Sequence, residues 1–270
     1  MKYFFLLAIT ILSQACSTSK HPVANADGTK YLILNSSIRI LDFDPLGHIY
    51  ILDGTDRLSK YDTSGHLLYH VVNNNLGEPH SLDVGNPFKT MIFYRDQQTI
   101  LLYDRTLSEI QRIHLVDWNL HDVTAACLSP DNAIWVFDGS GKVLIKTNQL
   151  GDAIVTSDPF DILKPGSPRP DFIYDVDHWL VLKAINHPIA IFDDFGKYLY
   201  TTEFKNNELF SINNHMIIMG LGESIWRYDV SDRFMQAPIS MKENIEDKRI
   251  CQFANQFYVA DDHGIYILTP

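Results

Sequence analysis

The sequence predicts an all-β fold: a six-bladed β-propeller of four-stranded antiparallel blades, closed by its N-terminal strand pairing in the last blade. Three observations carry that expectation. First, six β-like runs end at equivalent points, Asp62, Asp104, Asn148, Asp193, Asp229 and Thr269, separated by 42, 44, 45, 36 and 40 residues. Second, each period holds four short β runs, and four strands in about 40 residues is the repeat of a propeller blade. Third, the last unit stops one strand short, while an unassigned strand, KYLILNSS (residues 30–37), precedes the first. Pairing that strand with GIYIL at residues 264–268 completes six blades and removes the open edges that would seed aggregation.

Residues 1–15, MKYFFLLAITILSQA, hold one basic residue, an apolar run over residues 3–12 and a small, polar end. This is a secretory signal peptide, too short to span a bilayer. Its junction with Cys16 resembles a bacterial lipoprotein signal, which implies lipid attachment at Cys16. Ser13 and Ala15 also suit ordinary leader cleavage, which would leave an exported chain with a free terminal cysteine. Residues 16–29 are polar and without apolar periodicity, and read as a flexible, lipid-anchored tether. The propeller then fills residues 30–270. No acidic residue follows Cys16 within residues 17–20, which favours the periplasmic side of the outer membrane of a Gram-negative envelope, with the cell surface as the alternative.

Within the propeller, the first strands begin at Ile38, Ser81, Thr124, Asp171, Leu209 and Arg249. Second strands follow after a tight turn: HIYILD, KTMIFYRD, AIWVFD, HWLVLK, HMIIMG and QFYVAD, all short β-branched or aromatic runs. Third strands are the runs that end at the six equivalent points. In three copies a glycine stands three places after that end, at Gly65, Gly151 and Gly196, as in YDTSGHLLYHV. Asp or Asn capping a four-residue turn, with Gly supplying positive φ, leads from there into the fourth strand. His178 and His215 occupy matching places before second strands, near Gly47 and Asn132 in other blades, which marks a turn slot tolerant of polar residues. Nowhere is there convincing 3.6-residue periodicity.

The motif DPLGHIYILD (residues 44–53) with KYDTSGHL (residues 60–67), and its echo SPDNAIWVFD (residues 129–138), resembles the six-bladed propellers of the NHL and TolB-like type. The resemblance covers residues 30–270 and implies architecture, because such motifs recur in propellers of unrelated function.

Composition narrows the function classes. The chain has 270 residues, 46% apolar and 20% charged, with 22 Lys plus Arg against 33 Asp plus Glu. A net charge of −11 repels phosphate backbones, so nucleic acid is not an expected partner. Of the cysteines, Cys127 and Cys251 fall in opposite blades, too far apart for a disulfide, and read as small buried hydrophobes. The sequence has no HExxH, CxxC or GxSxG. Gly139-Ser140-Gly141-Lys142 lacks the flanking residues of a phosphate loop. No catalytic residue, metal ligand set or cofactor is therefore predicted.

Two functional readings remain. The first is a non-catalytic docking platform for another envelope protein in secretion, assembly or uptake. In a propeller the connections from strand four to the next strand one, with the strand two to three turns, share one face. Here the longest is residues 158–171, DPFDILKPGSPRPD, stiffened by Pro159, Pro165, Pro168 and Pro170. Large apolar residues in a polar rim look like binding anchors. The candidates are Phe160, Ile162 and Leu163 on this loop, Asp117, Trp118 and His121 on the loop before it, and His80. The alternative for Trp118 and Phe160 is that they fold back as satellite core. The second reading is an enzyme or sensor binding a small molecule or sugar in the axial funnel. Propellers of the calcium-dependent lactonase type hold a metal there with Glu, Asn and Asp; the inner strands here offer Asp42, Asp44, Asp83, Asn86, Asp171, Asp175, Asp177, Asn213 and Asn214, but no Glu.

Overall fold

The computed structural model describes residues 30–35, 37–205, 210–246 and 248–268. The signal peptide, Cys16 and the tether lie outside the described residues. Strand β1 (Tyr31–Leu34) comes first, followed by blade 1: β2 (Ile38–Phe43), β3 (Ile49–Asp53), β4 (Arg57–Tyr61) and β5 (Leu67–Val72). Blade 2 is β6 (Ser81–Asn86), β7 (Lys89–Tyr94), β8 (Thr99–Asp104) and β9 (Glu109–His114). A turn of 3-10 helix, Leu115–Trp118, leads to blade 3: β10 (Val123–Leu128), β11 (Ile134–Asp138), β12 (Val143–Thr147) and β13 (Ala153–Thr156). After a one-turn helix α1 (Phe160–Leu163), blade 4 is β14 (Phe172–Val176), β15 (Trp179–Lys183), β16 (Pro188–Asp193) and β17 (Tyr198–Lys205).

Blade 5 departs from the repeat. After β18 (Ser211–Asn213), β19 (Met216–Leu221) and β20 (Ser224–Asp229), its outer position is split into β21 (Phe234–Met235) and β22 (Ile239–Ser240), both paired with β20. Pro238, which has no N–H to give a ladder, stands in the gap. Blade 6 is β23 (Arg249–Phe253), β24 (Gln256–Ala260) and β25 (Gly264–Leu268), and β1 pairs antiparallel with β25 as its outermost strand. The chain is thus a six-bladed β-propeller.

Closure is visible in the packing. Buried apolar side chains form clusters at six blade junctions; one joins the last blade to the first through Ile33, Leu41, Ile51, Cys251, Tyr258 and Ile265. Second strands lie between two neighbours with both surfaces covered, which is why β3 and β11 read as unbroken apolar runs rather than alternating ones. Cys127 and Cys251 are free and buried, in blades 3 and 6.

The repeated turn motif has one physical cause. In the turns after β4, β12 and β16, a side-chain oxygen of Asp62, Asn148 or Asp193 accepts backbone N–H groups two and four residues on, at 2.8–3.0 Å. Gly65, Gly151 and Gly196 then take φ of +81°, +92° and +76°. Asp44, fully buried, does the same for Leu46 and His48 in blade 1 and also takes a hydrogen bond to its Oδ2 from His48 Nδ1 at 2.8 Å. The slot before the second strands is a left-handed one: Gly47, Asn132, Asp177, Asn214 and Ala254, each two residues ahead of its strand, all have positive φ. His178 and His215 are the residues that follow it.

The antiparallel order fixes two faces. Four-to-one connections and two-to-three turns form a loop face; one-to-two and three-to-four turns form a turn face. Because Leu34 pairs with Gly264 and Tyr31 with Tyr266, β1 runs from the turn face toward the loop face. The polypeptide therefore enters the propeller at the turn face. Among the described residues no helix is long and apolar enough to cross a membrane.

Candidate functional site

The loop between blades 3 and 4 is held at both ends. The Phe160 N–H donates to the Lys142 carbonyl at 2.7 Å, and Asp161 pairs with the Lys142 ammonium. At the far end the Asp171 N–H reaches the Lys183 carbonyl at 2.7 Å, while Thr124 Oγ1 donates to the Pro170 carbonyl at 2.7 Å. Arg169 pairs with Asp122 at 2.9 Å. With Pro165, Pro168 and Pro170 between these ends, the segment after α1 is stiff without regular structure.

Under it lies a cavity of about 150 Å³, whose lining includes Phe160, Pro165, Pro168, Leu182, His187 and Ala190. Pro170 also borders a polar groove of about 480 Å³ with Arg95, Gln98, His121, Asp122, Arg169 and Asp171. Gln98 fixes one wall: its amide accepts the Val123 N–H at 2.7 Å and donates to the carbonyls of Arg95 and Val123. The Arg95 guanidinium stands 3.5 Å from Asp171, joining blade 2 to blade 4. The groove therefore offers two guanidinium groups, each beside a carboxylate, next to an apolar hole.

The predicted anchors are placed unequally. Phe160 is a correction: only 6% exposed, it packs edge-on to Phe137 and Phe192 in the junction of blades 3 and 4. Its ring presents nothing outward except to the cavity it lines. The cause is the bond to Lys142, which turns residue 160 inward. Leu163 is half-buried against the same cluster, whereas Ile162 is 74% exposed. Trp118 also folds back: it is half-buried against the cluster of blades 2 and 3, over Gly151, where any Cβ would stand 2.2 Å from the indole. Asp117 and His121 are exposed, and His121 is on the groove.

His80, expected at the surface, is half-buried. Its Nε2–H donates to the Asp171 carbonyl at 2.8 Å, and its ring stacks on Phe172 at 4.9 Å. Burial holds its pKa below the usual histidine value, and the nearby Arg95 charge acts in the same direction, outweighing the bond to Asp171. His80 thus stays neutral and ties the opening of blade 2 to that of blade 4. Arg95, Gln98 and Arg169 are not among the expected binding residues, and Asp171 is expected only as an inner-strand carboxylate of the axial funnel. Their sequence signal is thin: a Pro-Arg-Pro-Asp end to the loop, and charged residues in the second two-to-three turn.

The axial passage is a second place of interest. Asp42, Asp83 and Asp175 come from the inner strands of blades 1, 2 and 4. Burial pushes Asp42 up to about 7, against the Phe43 N–H bond, with help from the charges of Asp83 and Asp44. Asp83 and Asp175 are also raised by burial, although Asp83 accepts the Gly85 and Leu128 N–H groups and Asp175 accepts the Ser129 hydroxyl. Burial likewise raises the thiols of Cys127 and Cys251, so they remain protonated and poorly nucleophilic. Among the described residues, no three His, Cys, Asp or Glu side chains are grouped to hold a metal ion.

No protein-family model matches the chain, and no curated protein matches it by sequence. Among solved structures it is similar to virginiamycin B lyase from Staphylococcus aureus, at 14% identity over 92% of this chain and 86% of that one, with a TM-score of 0.58. A streptogramin B lyase matches at 16% identity over 87% and 79%, TM-score 0.57. The WD40 domain of Neurospora crassa Pan2 matches at 10% identity over 89% and 86%, TM-score 0.57. At these identities the likeness is one of fold, shared by lyases and a WD40 domain alike.

Proposed function

We propose that the chain is a non-catalytic docking platform of the bacterial envelope, held at the outer membrane through lipidated Cys16, with its loop face presented to a protein partner. The observation that carries this reading is the preformed apolar cavity beside a charged groove, both built by a loop pinned at its two ends. A cavity of about 150 Å³ is the size a benzene ring fills, so the partner would seat one large apolar side chain there. The groove would hold polar backbone and charged neighbours of that residue. A rigid ring and a proline-stiffened loop lower the ordering cost of such a contact.

The experiment is affinity capture from detergent-solubilised envelope with the whole mature chain, followed by titration of the captured protein against purified variants. Ser167→Trp, which fills the cavity from an exposed turn, and Arg169→Glu should each weaken binding at least tenfold. Binding by both variants at the parent's affinity would refute the site. The other reading, a small molecule or sugar in the axial passage, draws on the raised carboxyl groups of Asp42, Asp83 and Asp175. It requires that Asp42→Asn abolish ligand-dependent stabilisation while Ser167→Trp leaves it intact.

A further inference from the structure

The turn face carries a pattern that the docking role of the loop face leaves unused. Leu46 and Phe88 stand in one-to-two turns of blades 1 and 2; Leu150 and Phe195 stand in three-to-four turns of blades 3 and 4; Phe234 follows the corresponding turn of blade 5. They are 60%, 66%, 81%, 75% and 63% exposed. Among the described residues every largely exposed phenylalanine is on this face. The turn caps explain the geometry: with the side-chain oxygen of the first residue taking the N–H groups of the third and fifth, the side chain of the third residue of the Asp44, Asn148 and Asp193 turns is left at the tip. Turns are ordinarily dominated by Gly, Pro, Asn, Asp and Ser.

Blade 6 has no three-to-four turn. In its place, at the same face, the chain enters through Lys30 at the start of β1. The 14 residues from Cys16 to that strand span at most about 50 Å when fully extended. An anchor at Cys16 would hold this turn-face entry point within that distance of the bilayer. From these two observations we infer that the turn face is a lipid-contacting surface, whose apolar tips enter the headgroup region of a zwitterionic membrane while the loop face points away from it. Exposed apolar side chains gathered on one face suit interfacial burial. Lys89, Lys197 and Arg233 stand one or two residues from the tips, as do Asp152, Asp194 and Asp232, and this mixed charge suits a zwitterionic surface better than a strongly anionic one. This inference rests on the anchoring part of the proposed function for its orientation.

The test separates the two. Intact mass of the mature protein decides whether Cys16 is lipidated. Independently, the chain from residue 16 with Cys16→Ser is recruited by an N-terminal hexahistidine tag to phosphatidylcholine and phosphatidylethanolamine vesicles containing a nickel-chelating lipid, which reproduces the entry point without acylation. A polarity-sensitive dye is placed on Phe88→Cys, Leu150→Cys, Phe195→Cys or, on the loop face, Ile162→Cys; Cys127 and Cys251 are buried and do not compete. Recruitment should shift the emission to the blue and raise it at least twofold at the first three sites and leave Ile162→Cys unchanged. No change at the three tips on vesicle-bound protein, an equal change at Ile162→Cys, or a change that needs added envelope protein would overturn the inference.

Discussion

Gly264→Ala is the sharpest test of ring closure. Gly264 has φ of +155° and faces the backbone of β1: a Cβ would stand 2.0 Å from the Ile33 carbonyl oxygen and 3.0 Å from the Leu34 Cα. Neither is a side chain that can swing aside, so β1 must withdraw. Withdrawal exposes Tyr31 and Ile33, now 4% and 5% exposed, and breaks the Tyr31 hydroxyl bond to Asp261 at 2.7 Å. Two large side chains at roughly 1.5–3 kcal/mol each give a loss of about 3–6 kcal/mol, much of the total stability of an ordinary domain. In a domain of this size that corresponds to a fall in Tm of roughly 10–20 °C. The control is Gly222→Ala, which has φ of +58° with nothing within 4 Å of the added methyl, so it carries backbone strain alone, about 1–2 kcal/mol. Calorimetric melting of the two variants, with limited proteolysis of the N-terminal strand, reads the difference. If Gly264→Ala melts with Gly222→Ala and β1 stays protected, the strand does not close the ring.

Asp42→Asn should stabilise the protein in a pH-dependent way. The folded carboxyl titrates at about 7 against an ordinary value of 3.8, so the native state binds the extra proton between those values. Parent stability therefore falls as pH rises through that window, by at most about 4 kcal/mol; urea midpoints of parent and variant should agree near pH 4 and diverge by pH 8, and a gap that is flat with pH would sink the assignment. Phe160→Ala should cost about 3–5 kcal/mol as a core cavity, whereas Ile162→Ala, on the same helical turn, should stay within about 0.5 kcal/mol; equal effects in thermal melts would contradict the placement of the loop. Gly151→Ala should destabilise through its clash with Trp118, and Trp118→Leu in the same chain should recover part of the loss, as a double-mutant cycle would show.

The blades were legible in the sequence because they share local rules that recur from blade to blade. A β-branched or aromatic run, an Asp or Asn whose side chain caps the turn, and a glycine or Asn with positive φ are chemical requirements that act within five residues. Even closure could be counted, since one strand was missing at one end and one was spare at the other. What local rules did not give was the broken outer strand of blade 5, where Pro238 removes a donor from a position that has only one neighbour to pair with, and the inward turn of Phe160, which depends on a carbonyl at Lys142, 18 residues away.

The candidate binding surface is less legible for a related reason. Its groove is made by Arg95, Gln98, His121, Arg169 and Asp171, drawn from the edges of blades 2, 3 and 4, and its ties run between residues such as His80 and Asp171, 91 positions apart. No spacing rule links them; the ring does. The proline count in the loop signalled stiffness, but which side chains line a cavity under a stiff loop is decided by which of them the adjoining blades pull inward. Phe160 illustrates this: it is a core residue that lines the cavity, and its ring does not project where the sequence placed it. If the loop face is the docking surface proposed above, its specificity lies in how neighbouring blades abut, so substitutions at blade junctions facing the loop should alter partner choice without touching a single exposed residue.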